Sequence, residues 1–224
     1  MSTTTHHLTD ETLQDYAAGS LDGPMETLVA CHLTLCARCR ARAAFADAVG
    51  GTLLESHDPI RVGASATDVL GRVDDPAPSS PPPSSRPPPP RLVPTVVDVP
   101  RPLARLLPTD LDALDWRRVA PGIRQYNLGT RHRRHGAFKL LHLAPCSTLA
   151  EHGHNDRELT YVVRGSYTDE LGRFCTGDIA DLGDNVEHRP VVDPGEPCIA
   201  LIATHSPVRF SGLLGRLMQP FVGI

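Results

Sequence analysis

Residues 76–90 read PAPSSPPPSSRPPPP, nine prolines in fifteen positions. Proline has no backbone N–H and a fixed φ, so such a run propagates neither helix nor sheet. Its composition dictates an extended, semi-rigid polyproline spacer, and a loop inside one compact domain is rarely this long. The chain therefore reads as three parts: residues 1–75, a spacer over 76–97, and residues 98–224. A length of 224 residues leaves room for two small domains.

The two outer parts differ in charge. Residues 1–75 hold 5 arginines and no lysine against 11 acidic side chains, while the remaining 149 residues hold 17 basic and 15 acidic groups. A net charge of −4 thus conceals an acidic first part. Phosphate contacts need Lys and Arg, so this part is a poor candidate for binding DNA. Its charge suits plain solubility, or a partner with a basic surface. Residues 1–10 are polar and lack a secretory apolar region. No apolar run approaches the ~20 residues of a membrane helix. The expectation is a cytoplasmic protein with reduced thiols, in which clustered cysteines point to metal rather than disulfides.

The first part has a helical pattern. Thr9 is placed to cap a helix over 9–19 that Gly19 stops. A second helix starts near Gly23 and Pro24 and carries Leu28, Val29, Leu33 and Leu35. An alanine-rich third helix ends at Gly50 and Gly51, and a weaker segment follows over 64–73. Four short helices bury little core, and a metal staple would make such a unit viable. His32, Cys36 and Cys39 stand at i, i+4 and i+7, on one face of the second helix. Tetrahedral zinc needs one more N or S donor, and His6 and His7 lie just upstream. Zinc binding would supply folding free energy on the order of 10 kcal/mol. The bland alternative makes Cys36 and Cys39 small buried hydrophobes and His32 a surface residue. Three ligand-type residues sharing one face, with another pair upstream, argue against it. Cys31 is off that face and reads as a core thiol.

The string HHLTD…YAAG…CHLTLCARCRARA resembles the zinc-containing anti-sigma domain, whose signature is an upstream His followed by His-x3-Cys-x2-Cys. Within that group it is similar to the ChrR-type anti-sigma factors, which join such a domain to a cupin. The resemblance implies His7, His32, Cys36 and Cys39 as zinc ligands, with His7 chosen by register against the family's HH pair. It also implies a partner, an extracytoplasmic-function sigma factor held one-to-one by residues 1–75. No direct contact with nucleic acid or membrane is implied.

After the spacer, short β-rich runs (RQYNL, FKLLHLA, LTYVVRGSY, DIADL, CIALIAT) are punctuated by Gly and Pro, as in an antiparallel barrel or sandwich. GLLGRLMQPFVGI closes the chain as a final strand or docked tail. His152 and His154 share one side of a strand, Glu158 can reach the same point from the next strand, and Gly165 suits a tight turn. Gly177, Gly183 and His188 follow. This resembles the two cupin motifs, G-x5-H-x-H-x3-E-x6-G and G-x5-P-x-G-x2-H-x3-N. Departures are Cys146 near the first motif's leading Gly and Leu182 where the second has Pro. The resemblance implies His152, His154, Glu158 and His188 as a metal site inside a barrel. Such a set accepts several divalent metals, zinc being the first expectation. Glu151 and Glu187 read as rim groups. His132, His135, His142 and His205 read as surface or ordinary strand positions, Cys198 as a buried thiol, and Trp116 as packing at a barrel end.

The fold expected is therefore multidomain α + β, a small zinc-stapled helical bundle followed by a cupin β-barrel. The function implied is a zinc-dependent anti-sigma factor, not an enzyme. Its cupin would sense singlet oxygen or a related oxidant and end inhibition; His, Cys and Met are readily oxidised. The competing reading is a metal-dependent cupin enzyme, of dioxygenase or isomerase type, with an appended interaction domain.

Overall fold

The computed structural model describes residues 4–60, 63, 65–73, 99–129, 136–153, 156–183, 186–205 and 209–210, without the side chains of 152, 153, 209 and 210. The proline-rich spacer, His132, His135, His154 and the closing segment 212–224 lie outside the described residues, as does the side chain of His152.

The helical half begins as its caps dictate. Thr9 accepts from the Thr12 amide and opens α1 (Asp10–Ala17). Asp22 accepts from the Met25 amide and opens α2 (Gly23–Leu35), with Pro24 in the first turn. The expectation that α2 runs on through Cys39 is corrected. Cys36 has extended backbone (φ −86°, ψ 101°), ends α2 and caps α3 (Ala37–Glu55) by accepting from the Cys39 amide. The thiol satisfies an amide that a helix start leaves unpaired, which makes the break inexpensive. The predicted stop at Gly50 and Gly51 is also corrected, because α3 continues to Glu55. Helical glycines cost about 1 kcal/mol each relative to alanine and do not by themselves end a helix. A short α4 (Ala66–Leu70), opened by a Ser65–Asp68 capping box, lies within the predicted fourth segment. Of the α2 apolar positions, Leu28 and Val29 are buried and Leu35 is exposed.

After the spacer come α5 (Arg101–Ala104), a 3-10 turn (Leu111–Ala113) and twelve antiparallel strands among the described residues. The main sheet has the order β1 (Arg117–Ala120), β2 (Ile123–Asn127), β3 (Phe138–Leu143), β11 (Cys198–Thr204), β5 (Glu158–Arg164), β8 (Ile179–Leu182). Two three-stranded sheets complete the sandwich. One has β10 (Val191–Val192), β6 (Ser166–Asp169) and β7 (Gly172–Cys175). The other has β12 (Arg209–Phe210), β4 (His152–Gly153) and β9 (Glu187–His188). Gly165 makes the predicted tight turn between β5 and β6 at φ +76°, where an added Cβ would meet the Pro197 carbonyl at 2.4 Å. Trp116 donates to the Leu111 carbonyl at 2.8 Å and packs edge-on to Tyr126.

Alternation along the central strands sorts their side chains into two cores. Leu141, Leu143, Val162, Ala180, Leu182, Cys198 and Ile202 fill the inside of the sandwich with Tyr167 and Phe174. Leu140, Leu159, Tyr161, Val163, Ile179, Ile199 and Leu201 face the other way, into one continuous core with Leu8, Leu13, Met25, Leu28 and Val29 of the helical half and Leu103 of α5. The helical half is thus a layer on the outer face of the main sheet. Polar contacts border the seam. Arg157 reaches Asp15 at 2.6 Å and Glu11 at 2.8 Å, Asp181 accepts from Thr9, and His205 lies 3.4 Å from Asp22. No helix among the described residues is long and apolar enough to cross a membrane.

Candidate metal centres

His7, His32, Cys36 and Cys39 converge, with one N or S atom from each lying within 4.8 Å of all the others. Cys36 Sγ is 3.3 Å and Cys39 Sγ 3.8 Å from His7 Nδ1, and His32 Nε2 is 3.3 Å from Cys39 Sγ. Ordinary zinc bond lengths give tetrahedral edges of about 3.3 Å between nitrogens and 3.8 Å between sulfurs. The four residues therefore fit tetrahedral zinc in donor chemistry and in spacing. Cys36 supplies its ligand atom from the break between α2 and α3, Cys39 from the first turn of α3, His32 from the last turn of α2, and His7 from the segment before α1.

The neighbouring His6 does not enter this cluster. Its ring stacks on Phe174 with centroids 3.8 Å apart. The choice between the two histidines, made in the sequence on register alone, rests in the structure on this stacking.

Three of the four protonation shifts favour ligation and that of Cys39 opposes it. Burial lowers the His32 pKa, partly offset by the Gly177 carbonyl, and burial with Arg38 and Arg42 lowers that of His7. Burial alone would raise the Cys36 thiol, but hydrogen bonds from Thr4 and Cys39 outweigh it and hold the thiol below its usual value. Burial raises its neighbour Cys39. Neutral imidazole and thiolate are the forms that bind metal. Cys31, by contrast, is fully buried with its thiol pushed up to about 12, as befits a core residue.

In the sandwich, β4 pairs with β9 so that His152 lies opposite His188. Glu158 opens β5 on the inner side of the main sheet, the side it shares with Val162. Both Glu158 and His188 are buried, and burial raises the Glu158 carboxyl to about 7 against the pull of His188 and Thr160. His188 Nδ1 lies 2.9 Å from the carboxylate of Asp169, whose side chain is wholly buried. A carboxylate there accepts the Nδ1 proton, which holds the His188 ring in one orientation. The Tyr167 hydroxyl is buried with no hydrogen-bond partner among the described residues. A buried carboxyl, a buried imidazole oriented by Asp169 and a hydroxyl without a partner among the described residues suit a cation in this interior. Asp169 was missed in the sequence, because its partner lies nineteen residues away, beyond β7 and β8.

The remaining residues have plainer settings. Glu151 and Glu187 are exposed. His142 sits on β3 beside Arg124 and Trp116. Cys198 is buried with its thiol pushed up to about 12. Cys146, which stands near the place of the cupin motif's leading glycine, adopts φ +60°. That backbone region favours glycine, which explains what the motif position demands.

A helical layer carrying a two-histidine, two-cysteine cluster thus lies on one face of a cupin-like sandwich. Residues 106–208 match the ChrR Cupin-like domain. The chain is 38% identical to the anti-sigma-E factor ChrR of Cereibacter sphaeroides over 98% of each. It also superimposes on the crystal structure of Rhodobacter sphaeroides SigE in complex with the anti-sigma ChrR, with a TM-score of 0.72 and 35% identity, covering 90% of this chain and 100% of that one. The protein belongs to the ChrR family of anti-sigma factors, a family of regulators rather than enzymes.

Proposed function

We propose that this protein is a zinc-dependent anti-sigma factor that sequesters an extracytoplasmic-function sigma factor in a one-to-one complex. In this reading residues 1–75 hold the partner, residues 76–97 are the spacer, and residues 98–224 sense an oxidant such as singlet oxygen and end the inhibition. The observation that carries it is the cluster of His7, His32, Cys36 and Cys39, in a chain 35% identical to a ChrR seen bound to SigE. Zinc there pins the segment before α1 to the α2–α3 break and so shapes the helical layer.

The partner's contact surface follows from α3. Only Cys39 and Ala43 of this helix are buried, and beyond them Phe45, Val49 and Leu53 follow one another at four-residue spacing with exposures of 72%, 45% and 62%. An exposed apolar stripe of this kind marks an interaction site.

The second metal site of the proposal is His152, His154, Glu158 and His188, supported by the β4–β9 register and by Asp169 behind His188. When bound, the metal there would concentrate oxidant chemistry inside the sandwich. The protein's own residues hold it, orient His188 and keep bulk water from Glu158.

The test is co-purification of the full-length protein with its cognate sigma factor, scored against zinc content. A one-to-one complex that requires zinc supports the reading. A zinc-loaded protein that binds no sigma factor refutes it.

A further inference from the structure

One turn of the sandwich reaches into the N-terminal cluster. Between β7 and β8, the Gly177 carbonyl lies 2.9 Å from Nδ1 of His32. A carbonyl only accepts, so the proton sits on Nδ1 and the Nε2 lone pair faces Cys39 Sγ at 3.3 Å. The next residue, Asp178, is 1% exposed. Its Oδ1 accepts the amides of Thr5 at 2.6 Å and His6 at 3.1 Å, and its Oδ2 accepts the Thr5 hydroxyl at 3.1 Å and the Cys175 amide at 2.9 Å. These bonds fix the two residues that deliver His7. Phe174, at the other side of the turn, holds the His6 ring out of the cluster.

The turn is shaped for this approach. Gly177 has φ +95°, and a Cβ there would meet Leu35 and Thr4 at 3.1 and 3.2 Å. A larger residue would strain the backbone and hold the sandwich away from α2.

We propose that Gly177 and Asp178 are positioning residues of the N-terminal metal site, so that the sandwich itself governs how firmly the helical half keeps its zinc. This rests on the reading that His7, His32, Cys36 and Cys39 bind zinc. Coupling of this kind is reciprocal: a sandwich pulled off the helical layer loosens the metal, and loss of the metal loosens the docking. A disturbance inside the sandwich then reaches the partner-holding half through packed contacts and does not have to travel along the proline spacer.

The test uses full-length protein loaded with cobalt(II). Thiolate-to-cobalt charge-transfer absorption reports only the Cys36 and Cys39 site, since the second site has no thiolate. Its decay on addition of excess chelator gives the release rate. Asp178→Asn should release metal about 10- to 100-fold faster than wild type, the usual effect of losing an outer-shell partner. Thr5→Val, an exposed position whose change leaves the sandwich core intact, should release it about three- to tenfold faster. Arg157→Ala breaks the ion pairs to Asp15 and Glu11 at the same seam without touching the turn, and should stay near the wild-type rate. The proposal is overturned if Asp178→Asn and Thr5→Val both release cobalt at the wild-type rate, or if Arg157→Ala speeds release as much as Asp178→Asn. Should Asp178→Asn not fold, Thr5→Val decides. A wild-type protein that shows no thiolate band sinks the zinc reading instead, and so separates the two claims.

Discussion

His32 and His188 are both buried imidazoles with Nδ1 held 2.9 Å from an oxygen, yet the oxygens come from different places. For His188 it is a carboxylate of the same sandwich, Asp169 on β6. For His32 it is a main-chain carbonyl of the other half of the molecule, Gly177. The sandwich thus orients His188 from within itself, whereas the helical layer borrows the group that orients His32 from the sandwich it is docked on. The sandwich builds its centre on strands that have their own closed core. The helical layer has no core of its own and shares one with the outer face of the main sheet. In the proposed reading, a metal staple that leans on the sandwich can be weakened from outside, and a sandwich site with its own support can change without unfolding its host.

The largest effect that would break this contrast lies in the staple. Cys36→Ser or Cys39→Ser should empty the N-terminal site, measured as zinc per chain, and lower affinity for the sigma factor more than about a thousandfold, because metal binding there is folding free energy. Wild-type repression by either variant would contradict the account. Glu158→Ala or His188→Ala should act the other way, with the sigma factor still bound in a pull-down and oxidant-driven release lost. Asp169→Asn should cost the second site about 10- to 100-fold in metal affinity, seen by competition with a chelator, while zinc at the first site is untouched.

Acidity sharpens the contrast in metal-stripped protein. Glu158 deprotonates near 4.5 as an ordinary carboxyl and at about 7 in the fold. The unfolded chain loses this proton first, so the contribution to stability is full below pH 4.5 and drains away as pH rises to about 7. The loss is at most about 3 kcal/mol. Thermal melts of stripped protein across that window should show the fall, and Glu158→Gln should flatten it. A smaller effect belongs to α3. Phe45→Ala should weaken the sigma-factor complex by about 2 kcal/mol, with an unchanged melting temperature for the free protein, since Phe45 is exposed there.

Much of this was legible in the sequence, for reasons that can be named. The cap at Thr9, the helix start near Gly23 and Pro24, the alternating strands and the turn at Gly165 are local signals, and local signals survive without tertiary context. His32, Cys36 and Cys39 were legible because ligand-type residues are few and their spacing is restrictive, whereas His7 came only from the family resemblance. What stayed hidden depends on contacts between distant segments. The break at Cys36 is invisible to helical periodicity, since the thiol that ends one helix also starts the next. His6 and His7 are chemically identical neighbours, and only Phe174 separates their roles. The exposed Leu35 looked like core because its neighbours are core. Above all, the proline spacer suggested two bodies held apart, and nothing in its composition says that they pack into one.

The central claim is that zinc held by His7, His32, Cys36 and Cys39 maintains the grip on a sigma factor. The most direct measurement starts from the preformed complex of full-length protein and sigma factor and follows zinc extraction and sigma-factor release together as chelator is added, in wild type and in His188→Ala. The account predicts that release tracks the loss of the thiolate-bound zinc and runs the same course in both proteins. A sigma factor that stays bound after that zinc is gone would contradict it.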